Sequence, residues 1–330
     1  MATASSDSEG GLYRTRDPRA LRQCNITTQW SGEDINDFSI IDPVWTRLVT
    51  TAPPEQTRMG VAGKDAVTTG PPLRNLRAMG LCCKHIRAHL GDQDSDKLVA
   101  LSGLAKRMKK IVKSQYLAGL WLRDLPRQLL WIPYDRDHGM DKLHKIRPTQ
   151  YRAPSWSWAS AATFITTAEN RLTNLDTIYV AIEEAQVQPA AGQDDTGQLV
   201  GGHIRLTGAP IAAELVRPIG IGRLGNLELN VNGKICEAII RSDAPVVACP
   251  VTATLLPTIR GDVDGEDRIR ALLHDAVEGK PQGWYRRFGT LSTRVKSHDA
   301  VDDILARISD PSLCDASLCL EGSPGTIMLI

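Results

Sequence analysis

Two serines, Ser155 and Ser157, stand among two tryptophans in YRAPSWSWAS (residues 151–160). A serine becomes a nucleophile when a base takes its proton and a sharp turn exposes its oxygen. Neither has the G-x-S-x-G surroundings of such an elbow, and the seven histidines (85, 89, 138, 144, 203, 274, 298) single out no base. CCKHIRAH (82–89) gathers Cys82, Cys83, His85 and His89, ligand types that zinc takes. Adjacent cysteines chelate one ion poorly, however, and the spacing matches no standard finger. Cys314 and Cys319 could form a redox pair, but their spacing is nonspecific, and free thiols are the simpler reading. GIGRLG (220–225) spells a dinucleotide fingerprint, which needs a strand before it and a helix after. Pro218 precedes it and NLELNVNG follows, a strand and a turn, so the glycines read as loop. DVDGED (262–267) begins like a calcium loop, but Leu273 stands where the bidentate glutamate belongs, so a turn is expected. No catalytic or cofactor-binding residue and no cofactor is nominated.

The tryptophans carry more. In an extended chain Arg152, Pro154, Trp156, Trp158 and Ser160 share one face, and Ala153, Ser155, Ser157 and Ala159 share the other. The alternation predicts a strand with a buried tryptophan face, with Arg152 able to stack on an indole. Exposed, the same pair would be a platform for sugars or bases. AGLW (118–121) and LLW (129–131) add Trp121 and Trp131, and the four together favour one packed cluster.

Around these lie the elements that must position them. From Leu98 to Tyr116, apolar residues recur at helical spacing, opposite Lys106, Lys109, Lys110 and Lys113. Asp94–Asp96 can cap that helix, and Asp124 can cap a second, short one with Pro126 in its first turn. From residue 151 the texture turns to short β-favouring runs, with a tight turn expected at Asn232-Gly233. Helices are expected at 267–280 and 299–310. Without βαβ alternation, the fold class is α+β: a helical segment (95–150) packed on a C-terminal antiparallel β-rich domain (151–330), barrel or sandwich. Residues 51–94 read as a disordered linker or insertion.

The chain of 330 residues has a net charge of +1, so no global field draws it to nucleic acid or anionic membrane. No apolar run reaches transmembrane length, and the N-terminus MATASSDSEGG is no signal peptide. Seven cysteines, an odd number, fit reduced thiols in the cytoplasm.

GLWLRDLPRQLLW (119–131), then IRP, then YRAPSWSWAS resembles the region downstream of the core in fungal heterokaryon-incompatibility (HET) domain proteins. The likeness runs back through SDKLVALSGLAKRM (95–108) and forward, loosely, through GWYRRFGTL (283–291) to GTIMLI. Residues 2–24 resemble the close of a HET domain, making 1–50 a remnant. By this resemblance most of the core lies upstream of Met1, and 50–94 replaces a usually short connection, as a truncated gene or translated intron would. The family acts in nonself recognition and triggers programmed cell death. What the resemblance implies here is a non-catalytic accessory or regulatory region, partly inactive, with an unspecified protein partner. The alternatives are a ligand- or membrane-binding module using the Trp motif or the basic helix 98–116, and an enzyme with a cleft in the β-domain.

Overall fold

The computed structural model describes residues 97–134, 150–161, 164–166, 176–216, 226–243, 249–263, 265–295 and 299–330. The HET-like remnant, the 51–94 segment, the helix cap at 94–96, the zinc candidates Cys82, Cys83, His85 and His89, and GIGRLG lie outside them.

Helix α1 (Lys97–Val112) buries the face of Leu98, Leu101, Leu104, Ala105, Met108 and Val112. It ends short of the expected Tyr116, because β1 (Tyr116–Leu117) begins a hairpin with β2 (Leu120–Trp121). Helix α2 (Leu125–Gln128) follows. Asp124 precedes it without capping it, because its carboxylate accepts from Arg127 Nη1 instead (3.0 Å). Then come β3 (Ile132–Tyr134), paired with β4 (Phe164–Thr166), and β5 (Thr177–Ile178) on the flank of a large sheet.

That sheet holds β6 (Ala181–Pro189), β7 (Leu199–Thr207), β8 (Ile211–Leu215), β9 (Asn226–Val231), β10 (Lys234–Ser242), β11 (Val251–Val263), β12 (Glu266–Ala276) and β13 (Trp284–Arg294). Strands β8 to β13 run in the order β8-β9-β10-β13-β12-β11 and close on β8, a six-stranded antiparallel barrel. The fold is therefore α+β with a barrel, which decides between the two β architectures left open by sequence. Helix α3 (Asp299–Ser309) and β14 (Thr326–Leu329) complete the chain; β14 pairs parallel to β13 and antiparallel to β7, extending the sheet to β6.

The barrel core follows from period 2. Leu229 and Val231, Ala238 and Ile240, and Ala271 and Leu273 alternate inward into one cluster, which Ala300, Val301 and Ile304 of α3 join. The β9–β10 turn sits at Asn232-Gly233, both at positive φ (51° and 81°), as expected.

The helix expected over 267–280 is instead β12 and the turn after it. Its apolar residues fall at near-helical spacing because both faces of the strand are buried. Ile269, Ala271 and Leu273 enter the barrel; Arg270, Leu272 and His274, also buried, face the other way. Residues that alternate between two buried layers lose the polar–apolar rhythm that marks a half-exposed strand.

Candidate functional site

The Trp motif is not a strand. Ser157 N donates to Pro154 O, Ser160 N to Ser157 O and Ala161 N to Trp158 O, and Trp158–Ser160 is one 3₁₀ turn. Ser157 Oγ accepts from Ala159 N (3.1 Å) and caps it. These local bonds compete with a β ladder and win, so the two indoles do not share a face. Each finds its own glycine.

Trp158 lies on the β1–β2 turn. Ala118 and Gly119 both sit at positive φ (48° and 92°). Trp158 Nε1 donates to Gly119 O (3.1 Å) and Ser157 Oγ to Ala118 O (2.6 Å). A Cβ on Gly119 would come within 2.4 Å of Trp158 Nε1. AGLW and SWSW are thus two halves of one contact. Trp156 packs with Pro154 on β7, where a Cβ on Gly202 would meet Pro154 Cγ at 2.7 Å and Trp156 Cζ2 at 3.3 Å. Trp121 meets Tyr116 edge-on, with ring centroids 5.2 Å apart, and its N donates to Gln128 Oε1 (2.7 Å). Trp121, Trp131, Trp156 and Trp158 are all buried.

The joint between this layer and the barrel is Arg287, a fully buried residue of β13. Its guanidinium carbon sits 3.4 Å from the Trp131 ring centroid. Nη2 donates to Trp131 O (2.5 Å) and Nη1 to Asp243 Oδ2 (2.6 Å). Its backbone N donates to Ser155 Oγ (2.9 Å), and Ser155 bonds onward to Ile330 O. Trp131 Nε1 closes the loop by donating to Trp156 O (2.9 Å). Arg152, placed by period 2 to stack on an indole, is half-buried; the cation over Trp131 is Arg287. Sequence reasoning missed Arg287 as a site residue, although it lies in GWYRRFGTL; a fully buried arginine leaves no periodic trace.

His274 stands opposite Arg287 in the β12–β13 register, with the Tyr285 ring centroid 6.0 Å away. Burial first, and then the Arg287 charge, push its pKa down to about 3. The imidazole is neutral, and neither ring nitrogen has a hydrogen-bond partner among the described residues.

Ser155 and Ser157 both hold backbone atoms, and His274 is sealed from solvent. Asp262 Oδ1 accepts from Gly265 N (3.0 Å) in the tight β11–β12 turn, as the turn reading of DVDGED expects. Among the described residues no cluster of three metal-ligating side chains occurs, and Cys236, Cys249, Cys314 and Cys319 are free thiols. No helix among the described residues is long and apolar enough to cross a membrane. Compared with protein-family models, curated proteins and solved structures, the chain matches none.

Proposed function

We propose that this chain is a non-catalytic accessory region of a fungal HET-type nonself-recognition protein, acting in the cytoplasm through a protein partner. One observation carries the reading: three described stretches of the HET-like resemblance, AGLW, LLW and YRAPSWSWAS, serve one buried joint. AGLW receives SWSW, LLW supplies the indole under Arg287, and YRAPS ties β13 to the last strand. A motif spent on joining two layers is a scaffold, and a scaffold acts through the surface it holds in shape.

The rival, a ligand or membrane surface, asks for groups already engaged. The Trp pair is buried, and so is the apolar face of α1. Two of the helix's lysines, Lys106 and Lys109, pair with Asp194 (2.8 Å) and Asp195 (2.6 Å).

The test is expression in a filamentous fungus, alone and joined behind a HET core, with hyphal viability scored. The chain alone should leave cells alive, and joined to the core it should change the death response relative to the core alone. Killing by the chain alone, or a fusion indistinguishable from the bare core, would sink the reading.

A further inference from the structure

The chain repeats itself once, near its end. DPSLC (310–314) is followed directly by DASLC (315–319). The two pentapeptides fold alike. Asp310 Oδ1 accepts from Ser312 N (3.0 Å) and Ser312 Oγ (2.7 Å); Asp315 Oδ1 accepts from Ser317 N (2.9 Å) and Ser317 Oγ (2.6 Å). Each aspartate starts a single 3₁₀ turn, Pro311–Leu313 and Ala316–Leu318. Each turn ends by presenting a cysteine.

Both cysteines come to one place. Gly208, just past β7, and Gly325, just before β14, are in contact, with Gly208 N donating to Gly325 O (2.8 Å). Cys314 Sγ lies 4.0 Å from Gly208 O, and Cys319 Sγ accepts from Gly325 N (3.2 Å). The two sulfurs flank the same pair of glycines. Cys314 is half-buried and Cys319 buried, an entry thiol beside a sheltered one.

We propose that Cys314 and Cys319 are a reversible dithiol–disulfide pair whose bond closes the loop 314–319 against the β7–β14 joint. With a low-molecular-weight disulfide such as glutathione disulfide, the Cys314 thiolate attacks one sulfur, forming a mixed disulfide and releasing one glutathione thiolate. The Cys319 thiolate then attacks Cys314 Sγ, and the second glutathione leaves. Two protein thiols are oxidised, one glutathione disulfide is reduced to two thiols, and no other oxidant is needed. The segment is already strapped down: Gln282 Nε2 donates to Ala316 O (2.7 Å) and Cys319 O (2.9 Å), and Tyr285 Oη to Leu318 O (2.9 Å). The cross-link stiffens the loop whose Cys319 sulfur receives Gly325 N, just before β14, and the residue after β14, Ile330, meets the Trp motif through Ser155. Burial raises both thiols above their ordinary pKa, so exchange is slow at neutral pH.

Both cysteines fall in one tryptic peptide, 308–330. The reduced full chain is treated with glutathione disulfide, acid-quenched, alkylated under denaturing conditions and mapped by mass spectrometry. The expected product is that peptide lighter by two hydrogens, with neither cysteine alkylated, and restored by dithiothreitol. Below the thiol pKa its rate of formation should rise roughly tenfold per pH unit. Amide exchange at Ile327 and Leu329 should slow in the oxidised chain. Cys319→Ser should stop the reaction at a Cys314–glutathione adduct. A persistent adduct in the unsubstituted chain, a link from Cys314 to another cysteine, or two cysteines still alkylated would each overturn the pair. Unchanged amide exchange would overturn the stiffening.

Discussion

Arg287 holds Trp131 twice over, with its guanidinium 3.4 Å from the ring centroid and Nη2 2.5 Å from the same residue's carbonyl oxygen. The two residues are 156 positions apart in the chain. Its other arm neutralises Asp243, which is buried beside it. Removing the cation therefore takes an ion-pair partner from a buried carboxylate as well as a cation from an indole.

Arg287→Met should destabilise the fold by about 3–5 kcal/mol, the cost of breaking a buried ion pair from one side. Arg287→Met with Asp243→Leu should recover part of that loss, because both members of the buried ion pair are replaced together. Urea unfolding followed by circular dichroism measures both. A single-variant loss under about 1 kcal/mol would show that the pair does not hold the layers together.

Gly119 and Gly192 separate backbone strain from contact. Both have positive φ (92° and 74°), but only at Gly119 would a Cβ strike a neighbour, the Trp158 indole. Gly192→Ala should cost about 1–2 kcal/mol from the left-handed conformation alone. Gly119→Ala should cost about 1–3 kcal/mol more, from overpacking against Trp158. Equal losses would mean that the indole does not press on the turn.

Trp156 is fully buried, whereas a ligand platform would leave it open. Trp156→Ala should cost about 3–5 kcal/mol in unfolding free energy. A variant of unchanged stability that had lost binding to a partner would reverse the assignment.

His274 makes stability depend on pH. Its folded pKa, about 3, lies below the ordinary 6.5. Below pH 6.5 the unfolded chain takes up a proton that the folded chain refuses. The contribution is thus fully present above pH 6.5 and is lost as pH falls toward 3, with a slope of at most about 1.4 kcal/mol per unit. Beside His274 lie Arg287, with Asp243 behind it, and Tyr285, whose phenol burial raises, and Thr254 stands opposite it on β11. His274→Leu should flatten the stability profile between pH 6.5 and 5, above most carboxylate titrations. An unchanged slope in urea midpoints would exonerate His274.

Much of the β-domain was legible locally. Strands β6, β7, β9 and β10 follow from β-branched and alternating runs, and the Asn232-Gly233 turn from two residues suited to positive φ. α3 followed from helical spacing alone. β12 was not legible, because burial on both faces gives Ile269, Leu272 and Leu273 the spacing of a helix. The candidate site divides the same way. Trp121, Trp131, Trp156 and Trp158 were legible as a cluster of large apolar groups, whereas Arg287, Asp243 and His274 were not.

By itself, then, the sequence determined which side chains had to leave water and which short runs would extend or coil, since hydrophobicity and local propensity act over a few residues. Only the tertiary structure decided that β10 meets β13 and closes the barrel, and that YRAPSWSWAS turns rather than extends. It alone brought a buried arginine under an indole 156 residues away. Those outcomes rest on contacts between distant segments, where a buried charge is tolerable only if the fold delivers its partner.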